Sequence, residues 1–325
     1  MRVVEVVRFG GPEVLVPGSA PDPVAGPGQV VVDVAVASTT FIETQIRRGV
    51  DEWHERPRLP YVPGGLVAGQ VRAVGEGVGP AWLGRRVLAE TGDSGGFAEE
   101  ALVEVAGLFP VPDGLDLPGA AALFSDGSTA LGLVEAAAIG PGEDVLVEAA
   151  AGGVGSLLVQ LAREAGARVV GAARGARKLD VLRELGADAV VDYSAPDWTD
   201  QVLDATGGKG PDVVFDGVGG EIGRAAFSVT ARGGRFSVHG ASSGSVTEIS
   251  AEQARQQGVE VLGIEQLFDF GTHQRRWAEQ MMAKAAAGTI RPLIGQTFPL
   301  ERAAEAHAAV ENRTTVGKTL ILIQR

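Results

Sequence analysis

The sequence predicts an α/β protein of two domains: a doubly wound parallel sheet over residues 121–264, and a β-rich domain over 1–120 to which 265–325 return. Three observations carry that expectation. A chain of 325 residues exceeds what one core usually organises. Near Ala120 the pattern changes, and short apolar runs begin to alternate with helical stretches, as repeated strand–helix–strand units require. The first 120 residues, by contrast, are rich in Gly, Pro and Val and break into short β-like runs.

In chain order, 30–36 and 66–74 read as strands. Glycines at 64, 65, 69, 75, 77, 79 and 84 punctuate the second at turn spacing, which predicts a coiled antiparallel domain. Beyond Ala120, strands are expected at 144–148, 168–172, 189–192, 212–216, 235–239 and 259–264. Helices are expected between them at 154–165, 177–185, 198–205 and 222–230. Six strands in that alternation suffice for a doubly wound sheet. Helices at 275–287 and 303–311 and a strand at 318–323 are expected to rejoin the first domain. The stretches 50–58 and 266–272 read as loops that shape a pocket.

Composition narrows the function. With 45% hydrophobic and 21% charged residues the chain has ample apolar surface to bury. A formal charge of −13 leaves no surface suited to tracking a phosphate backbone, so no nucleic-acid partner is expected. The absence of cysteine rules out disulfides, thiolate-bound zinc and a cysteine nucleophile. The opening Met1-Arg2-Val3-Val4-Glu5 lacks the apolar core of a signal peptide, and no 18-residue apolar run follows. A cytoplasmic protein acting on a small molecule, without a membrane partner, is the expectation.

The strand at 144–148 runs into Ala149-Ala150-Ala151-Gly152-Gly153-Val154-Gly155, where a helix opens. In a Rossmann dinucleotide site, Gly152 would let the backbone approach a pyrophosphate, and Gly155 would let the helix pack on the strand. The plainer alternative is a small-residue turn that serves packing alone. Its position between a strand and a helix, at the start of the alternating series, favours the nucleotide. About 20 residues on, an NAD site places a carboxylate. Here Val170-Gly171-Ala172-Ala173-Arg174-Gly175-Ala176-Arg177-Lys178 has none and concentrates three cations instead. Arg174 and Lys178 suit a 2′-phosphate, so NADPH is the expected cofactor. A solvated helix start is the alternative, although the helix dipole disfavours cations there.

These residues carry a family resemblance. Thr40-Phe41-Ile42-Glu43-Thr44-Gln45, Leu59-Pro60-Tyr61-Val62-Pro63-Gly64 and Gly95-Gly96-Phe97-Ala98-Glu99 begin it. Ser128-Thr129-Ala130, the glycine-rich turn, Leu185-Gly186-Ala187-Asp188, Phe298-Pro299-Leu300-Glu301 and Gly317-Lys318 continue it in order. The chain resembles the medium-chain dehydrogenase/reductases, and among them the zinc-independent quinone oxidoreductase branch. The resemblance implies a GroES-like first domain, a Rossmann middle with a cleft between them, and a homodimer. It implies that Thr129 lies beside the nicotinamide, Lys178 at the 2′-phosphate and Tyr193 over the adenosine end. Ala151, Gly152, Gly153, Val154 and Gly155 would hold the pyrophosphate. Phe41, Ile42, Val218, His239, Gly240, Ala241 and Ser242 would also line the cofactor. Zinc-dependent relatives have Gly-His-Glu where Gly64-Gly65-Leu66 stands, so no metal is expected.

Two departures bear on chemistry. The branch usually has Asn at the position of Thr40 and Tyr at that of Gln45. Hydride transfer to a carbonyl or enone leaves negative charge on oxygen, and without zinc hydrogen-bond donors must stabilise it. Thr40, Gln45 and Thr129 are the candidates, although Thr40 could equally close a turn and Gln45 could be a solvated helix residue. The functions in view are an NADPH-dependent reductase of quinones or α,β-unsaturated carbonyls, an enoyl reductase of polyketide or fatty-acyl metabolism, and a non-catalytic NADPH-binding protein.

Overall fold

Asp144–Val147 lies inside a six-stranded sheet, between Arg168–Ala173 on one side and Val213–Asp216 on the other. Ala189–Asp192 closes the first edge, and Arg235–Val238 followed by Glu260–Leu262 closes the second, with every pair parallel. The computed structural model describes all residues except Trp53, Asp93 and Arg325. Strand order reverses between Asp144–Val147 and Val213–Asp216, and ligands of doubly wound sheets bind outside the carboxyl ends of strands at such a point. The strands are almost continuously apolar because helices cover both faces. Leu146, Val170, Val191, Val214 and Phe236 pack with Trp198 and Phe227 in one buried cluster.

The sheet belongs to one compact unit, Ser125–Met281; the other comprises Met1–Phe124 with Met282–Arg325. The expected return at 265 therefore falls too early. Residues 265–281 stay with the parallel sheet because Phe270 and Trp277 stack edge to face at 5.0 Å and fill the space left by Gly132. The segment expected as a loop at 266–272 is a short helix, Gln266–Asp269, and a turn, Phe270–Thr272. The Gln266 amide fastens it by donating to Val238 O at 2.9 Å and Gly263 O at 3.0 Å. The other expected loop, 50–58, carries no regular element among its described residues, and Trp53 within it lies outside them.

In the other unit, Gln29–Thr39 is the hub of a seven-stranded sheet. It pairs antiparallel with Leu66–Val74, Glu100–Glu104 and the C-terminal Lys318–Leu322. Ile294–Pro299 adds parallel to Lys318–Leu322, so the C-terminal segment completes the β-rich unit. Val30, Val32, Val67, Val87, Phe97 and Ile321 form its core. The longest helix, Leu117–Ala137, has no counterpart in the sequence reading. It is apolar on nearly every side, with Ala120–Leu123, Ala130 and Leu133 buried, so no periodic stripe announces it.

Candidate active site

The strand Asp144–Val147 ends in Glu148, and the chain then turns through Ala149, whose φ of 47° is left-handed. Gly152 caps the helix Gly153–Glu164 without a side-chain hydrogen bond, leaving the helix N-terminus to a ligand. A Cβ at Gly155 would lie 2.5 Å from Ala149 O and 2.7 Å from Ala150 Cα, so only glycine lets the helix sit this close to the turn. At Gly152 a Cβ would meet only Ala149 O, at 3.1 Å. Ala151 is buried behind the turn, and Val154 is half-buried in the first helical turn. At Gly153, a Cβ would fall 1.8 Å from the Asp126 carboxylate, which occupies that space. Asp126 escaped the sequence reading. It lies in the helix Leu117–Ala137, one turn before the half-buried Thr129.

Arg174 follows the strand Arg168–Ala173 and is exposed. Its guanidinium stands 5.9 Å from the centre of the Tyr193 ring, which the parallel pairing of Arg168–Ala173 with Ala189–Asp192 brings alongside. Lys178 lies in the first turn of the helix Ala176–Glu184, where its N–H donates to Gly175 O at 3.1 Å. Asp192, from the third strand, also approaches. Its Oδ2 accepts from Gly175 N at 3.0 Å, and its Oδ1 accepts from Ser194. Partial burial would raise this carboxyl, but those hydrogen bonds and the Arg174 charge outweigh burial and hold it below the usual carboxylate range. Asp192 is thus committed to shaping the turn that presents the cations.

At the fourth and fifth strand ends the structure brings together Val218, His239, Gly240, Ala241 and Ser242. Val218 O accepts from Ser243 N at 2.8 Å, and Gly244 N closes a turn onto Ala241 O at 2.9 Å. Gly240 passes so close to Gly217 that a Cβ would lie 2.6 Å from Gly217 O. Burial, against an opposing effect of Asp216, pushes the His239 imidazole down to about 4, so the ring is neutral at physiological pH.

Thr40, Phe41, Ile42 and Gln45 belong to the β-rich unit. Thr40 caps the helix Phe41–Arg48: Glu43 N donates to Thr40 Oγ1 at 3.3 Å, and Thr40 N donates to Glu43 Oε2 at 2.7 Å. Glu43 Oε1 further accepts from Gly65 N at 3.2 Å. The Gln45 amide donates to Thr44 Oγ1 at 2.9 Å. Phe41 is partly exposed, and Ile42 is half-buried. Glu43 is a second residue that sequence reasoning passed over, although Thr-x-x-Glu at a helix start is a recognisable capping box. Burial raises its carboxyl despite the two backbone donors. Partial burial of Tyr61, together with the Glu43 charge, pushes its phenol up to about 12. Among the described residues no group of three His, Cys, Asp or Glu is arranged to hold a metal ion.

Comparisons with known proteins match this architecture. Residues 26–113 match the alcohol dehydrogenase GroES-like domain, and 153–287 match the zinc-binding dehydrogenase domain. The quinone oxidoreductase of Rattus norvegicus is 32% identical over 99% of this chain and 98% of its own. Among solved structures, Escherichia coli quinone oxidoreductase complexed with NADPH is 29% identical with a TM-score of 0.89, covering 99% of this chain and 100% of that one. A mycobacterial protein complexed with NADPH is 32% identical with a TM-score of 0.88, at the same coverage. With sequence and fold in agreement along almost its whole length, the chain belongs to the quinone oxidoreductase branch of the medium-chain dehydrogenase/reductase superfamily.

Proposed function

We propose that this protein reduces quinones and related α,β-unsaturated carbonyl compounds with NADPH. The observation that carries the reading is the cation pair Arg174 and Lys178, set beside a glycine-rich turn at the carboxyl end of a parallel sheet, where an NAD site would have a carboxylate. The naming of the rat relative and the NADPH in two similar structures support it. The site fits the group: Gly152 and the uncapped start of Gly153–Glu164 suit a pyrophosphate, and Arg174 and Lys178 suit a 2′-phosphate. Bound NADPH supplies a hydride from its nicotinamide ring.

The chain's own residues bind and orient. Ala151, Gly152, Gly153, Val154 and Gly155 cradle the pyrophosphate, and Tyr193 lies over the adenosine end. Val218 and the stretch His239-Gly240-Ala241-Ser242 would floor the nicotinamide half, and Phe41 and Ile42 are further candidates for cofactor contact. Thr129, Thr40 and Gln45 donate hydrogen bonds to the substrate oxygen on which negative charge grows. His239, neutral by burial, positions rather than protonates.

We further infer a homodimer working in the cytoplasm, where NADPH is regenerated. Glu260–Leu262 is an edge strand of the parallel sheet among the described residues, and the neighbouring Phe268 is 64% exposed, which supports pairing with a second copy. Light scattering checks the dimer. NADPH consumption by the full chain across benzoquinones, phenanthrenequinone, simple enones and enoyl thioesters tests the chemistry. Turnover of quinones or enones is expected. Turnover of enoyl thioesters alone would favour acyl metabolism, and NADPH binding without any turnover would leave a non-catalytic binding protein.

A further inference from the structure

Three titratable groups meet at neighbouring strand ends, and two of them, Glu148 and Asp216, have no part in the proposed reduction. Glu148 follows Asp144–Val147, Asp216 ends Val213–Asp216, and His239 follows Arg235–Val238, three strands adjacent in the sheet. Glu148 and Asp216 are both wholly buried. Asp216 is held on both oxygens: Oδ1 accepts from Val218 N at 3.0 Å and Gly219 N at 2.7 Å, and Oδ2 accepts from Thr247 Oγ1 at 2.5 Å, with room for one more donor. Its carboxylate therefore shapes the 217–219 loop. Neither Glu148 oxygen has a donor among the described residues, and what faces it is the Asp216 carboxyl. Two carboxylates cannot both ionise in such a dry position at little cost; a proton between them turns repulsion into a hydrogen bond.

We propose that Glu148 is a positioning residue that keeps its proton at neutral pH and donates it to Asp216, fixing the 217–219 loop for the nicotinamide half of the cofactor. Burial is the largest cause that raises the Glu148 carboxyl well above its ordinary value. The charge of Asp216 and a hydrogen bond to it add to this; the nearby Val218 N–H, which donates to Asp216 Oδ1, offsets only the smallest part. Asp216 is the ionisable group facing Glu148, and His239 is the one facing Asp216 from the next strand. The His239 ring is wedged in place, since a Cβ at Gly217 would lie 2.9 Å from its Nε2, and its Nδ1 is buried without a partner. A neutral imidazole there adds no positive charge to stabilise a second carboxylate, which keeps the proton on Glu148.

The loop assignment rests on the NADPH reading; the proton does not, and two measurements separate them. The first is urea unfolding of the full chain, wild type against Glu148→Gln, from pH 7 to 10. Glutamine keeps an N–H for Asp216 at every pH. A folded acid with a raised pKa is stabilising below its unfolded value, and that stability is lost as pH rises toward the folded value. The wild-type unfolding constant should therefore grow relative to that of the variant by about tenfold per pH unit until Glu148 ionises. A ratio independent of pH would overturn the proposal.

The second is NADPH binding by fluorescence titration over the same range. Wild-type affinity should fall about tenfold once Glu148 ionises, Glu148→Gln should stay flat, and Glu148→Met should bind weakly throughout. Parallel curves for wild type and Glu148→Gln would overturn the positioning role. A wild type that binds no NADPH at any pH would defeat the cofactor reading instead, with the unfolding ratio still deciding the proton.

Discussion

Arg47 and Glu311 form an ion pair inside the β-rich unit although 264 residues separate them in sequence. The Arg47 side chain is completely buried and that of Glu311 is 20% exposed. Burial lowers the Arg47 pKa and the Glu311 charge opposes the shift, so the guanidinium depends on this partner. The pair ties the helix Phe41–Arg48, with Thr40 as its cap, to the C-terminal helix Ala303–Glu311. Glu311→Gln strands a buried charge and is expected to cost about 3–5 kcal/mol in urea unfolding. Arg47→Met with Glu311→Leu, which removes both charges, should recover much of that loss. A single variant as stable as wild type would show that the pair contributes nothing.

His307 lies in the same C-terminal helix, with no exposed surface, and its ring stands edge-on to Phe97 at 5.7 Å. Burial, aided by the Arg47 charge, pushes its imidazole down to about 3. In the unfolded chain the ring takes up a proton near pH 6.5. The native state is therefore stabilised above that pH and loses stability as pH falls toward 3. Between pH 7 and 5, wild type should lose about 2 kcal/mol more than His307→Leu. Equal losses in chemical unfolding at the two pH values would refute a neutral buried ring.

The parallel sheet was legible because strands covered on both faces write themselves as apolar runs such as Val145-Leu146-Val147 between glycine-rich turns. The turn at Gly152 and Gly155 was legible for a related reason, since close approach leaves few residue choices. Leu117–Ala137 was not, because a helix buried on nearly all sides has no stripe to read. Ile294–Pro299 has no fully buried residue and so lacks the alternation of a half-buried strand. Glu148 and Asp216 lie 68 residues apart, and only the lateral pairing of their strands makes them neighbours. Thr40-x-x-Glu43 was visible as letters, but Gly65 as the third partner of that box is a tertiary fact.

The two glycines of the turn should fail differently. Gly155→Ala drives a Cβ into Ala149 O and Ala150 Cα, both backbone, so helix or turn must shift. About 1–3 kcal/mol of stability should go, with affinity for NADPH and NADH falling together. Gly152→Ala meets a single contact at 3.1 Å and should fold nearly as well as wild type while binding either nucleotide at least about tenfold more weakly, if the proposed pyrophosphate site lies against this turn. Unfolding curves and nucleotide titrations of both variants decide it. Loss of stability at Gly152 without loss of binding would mean that the turn serves packing alone.

Cofactor choice makes the sharpest demand. Arg174 ends the segment where an NAD site carries its carboxylate, and Lys178 is four residues further, in the first turn of Ala176–Glu184. Asp192, the nearby acid, is occupied by Gly175 and Ser194, so it does not take the place of a ribose-binding carboxylate. A charge-assisted hydrogen bond contributes about 1.5–3 kcal/mol, roughly ten- to hundredfold in affinity. NADPH should therefore bind at least about tenfold more tightly than NADH. Replacing Arg174 and Lys178 by Ala together should weaken NADPH by more than about tenfold and leave NADH nearly unchanged, since NADH has no phosphate at that position. Isothermal titration of wild type and double variant with each nucleotide measures both. Equal losses for the two nucleotides would show that the cations only support the fold, and a wild-type preference for NADH would overturn the assignment of NADPH.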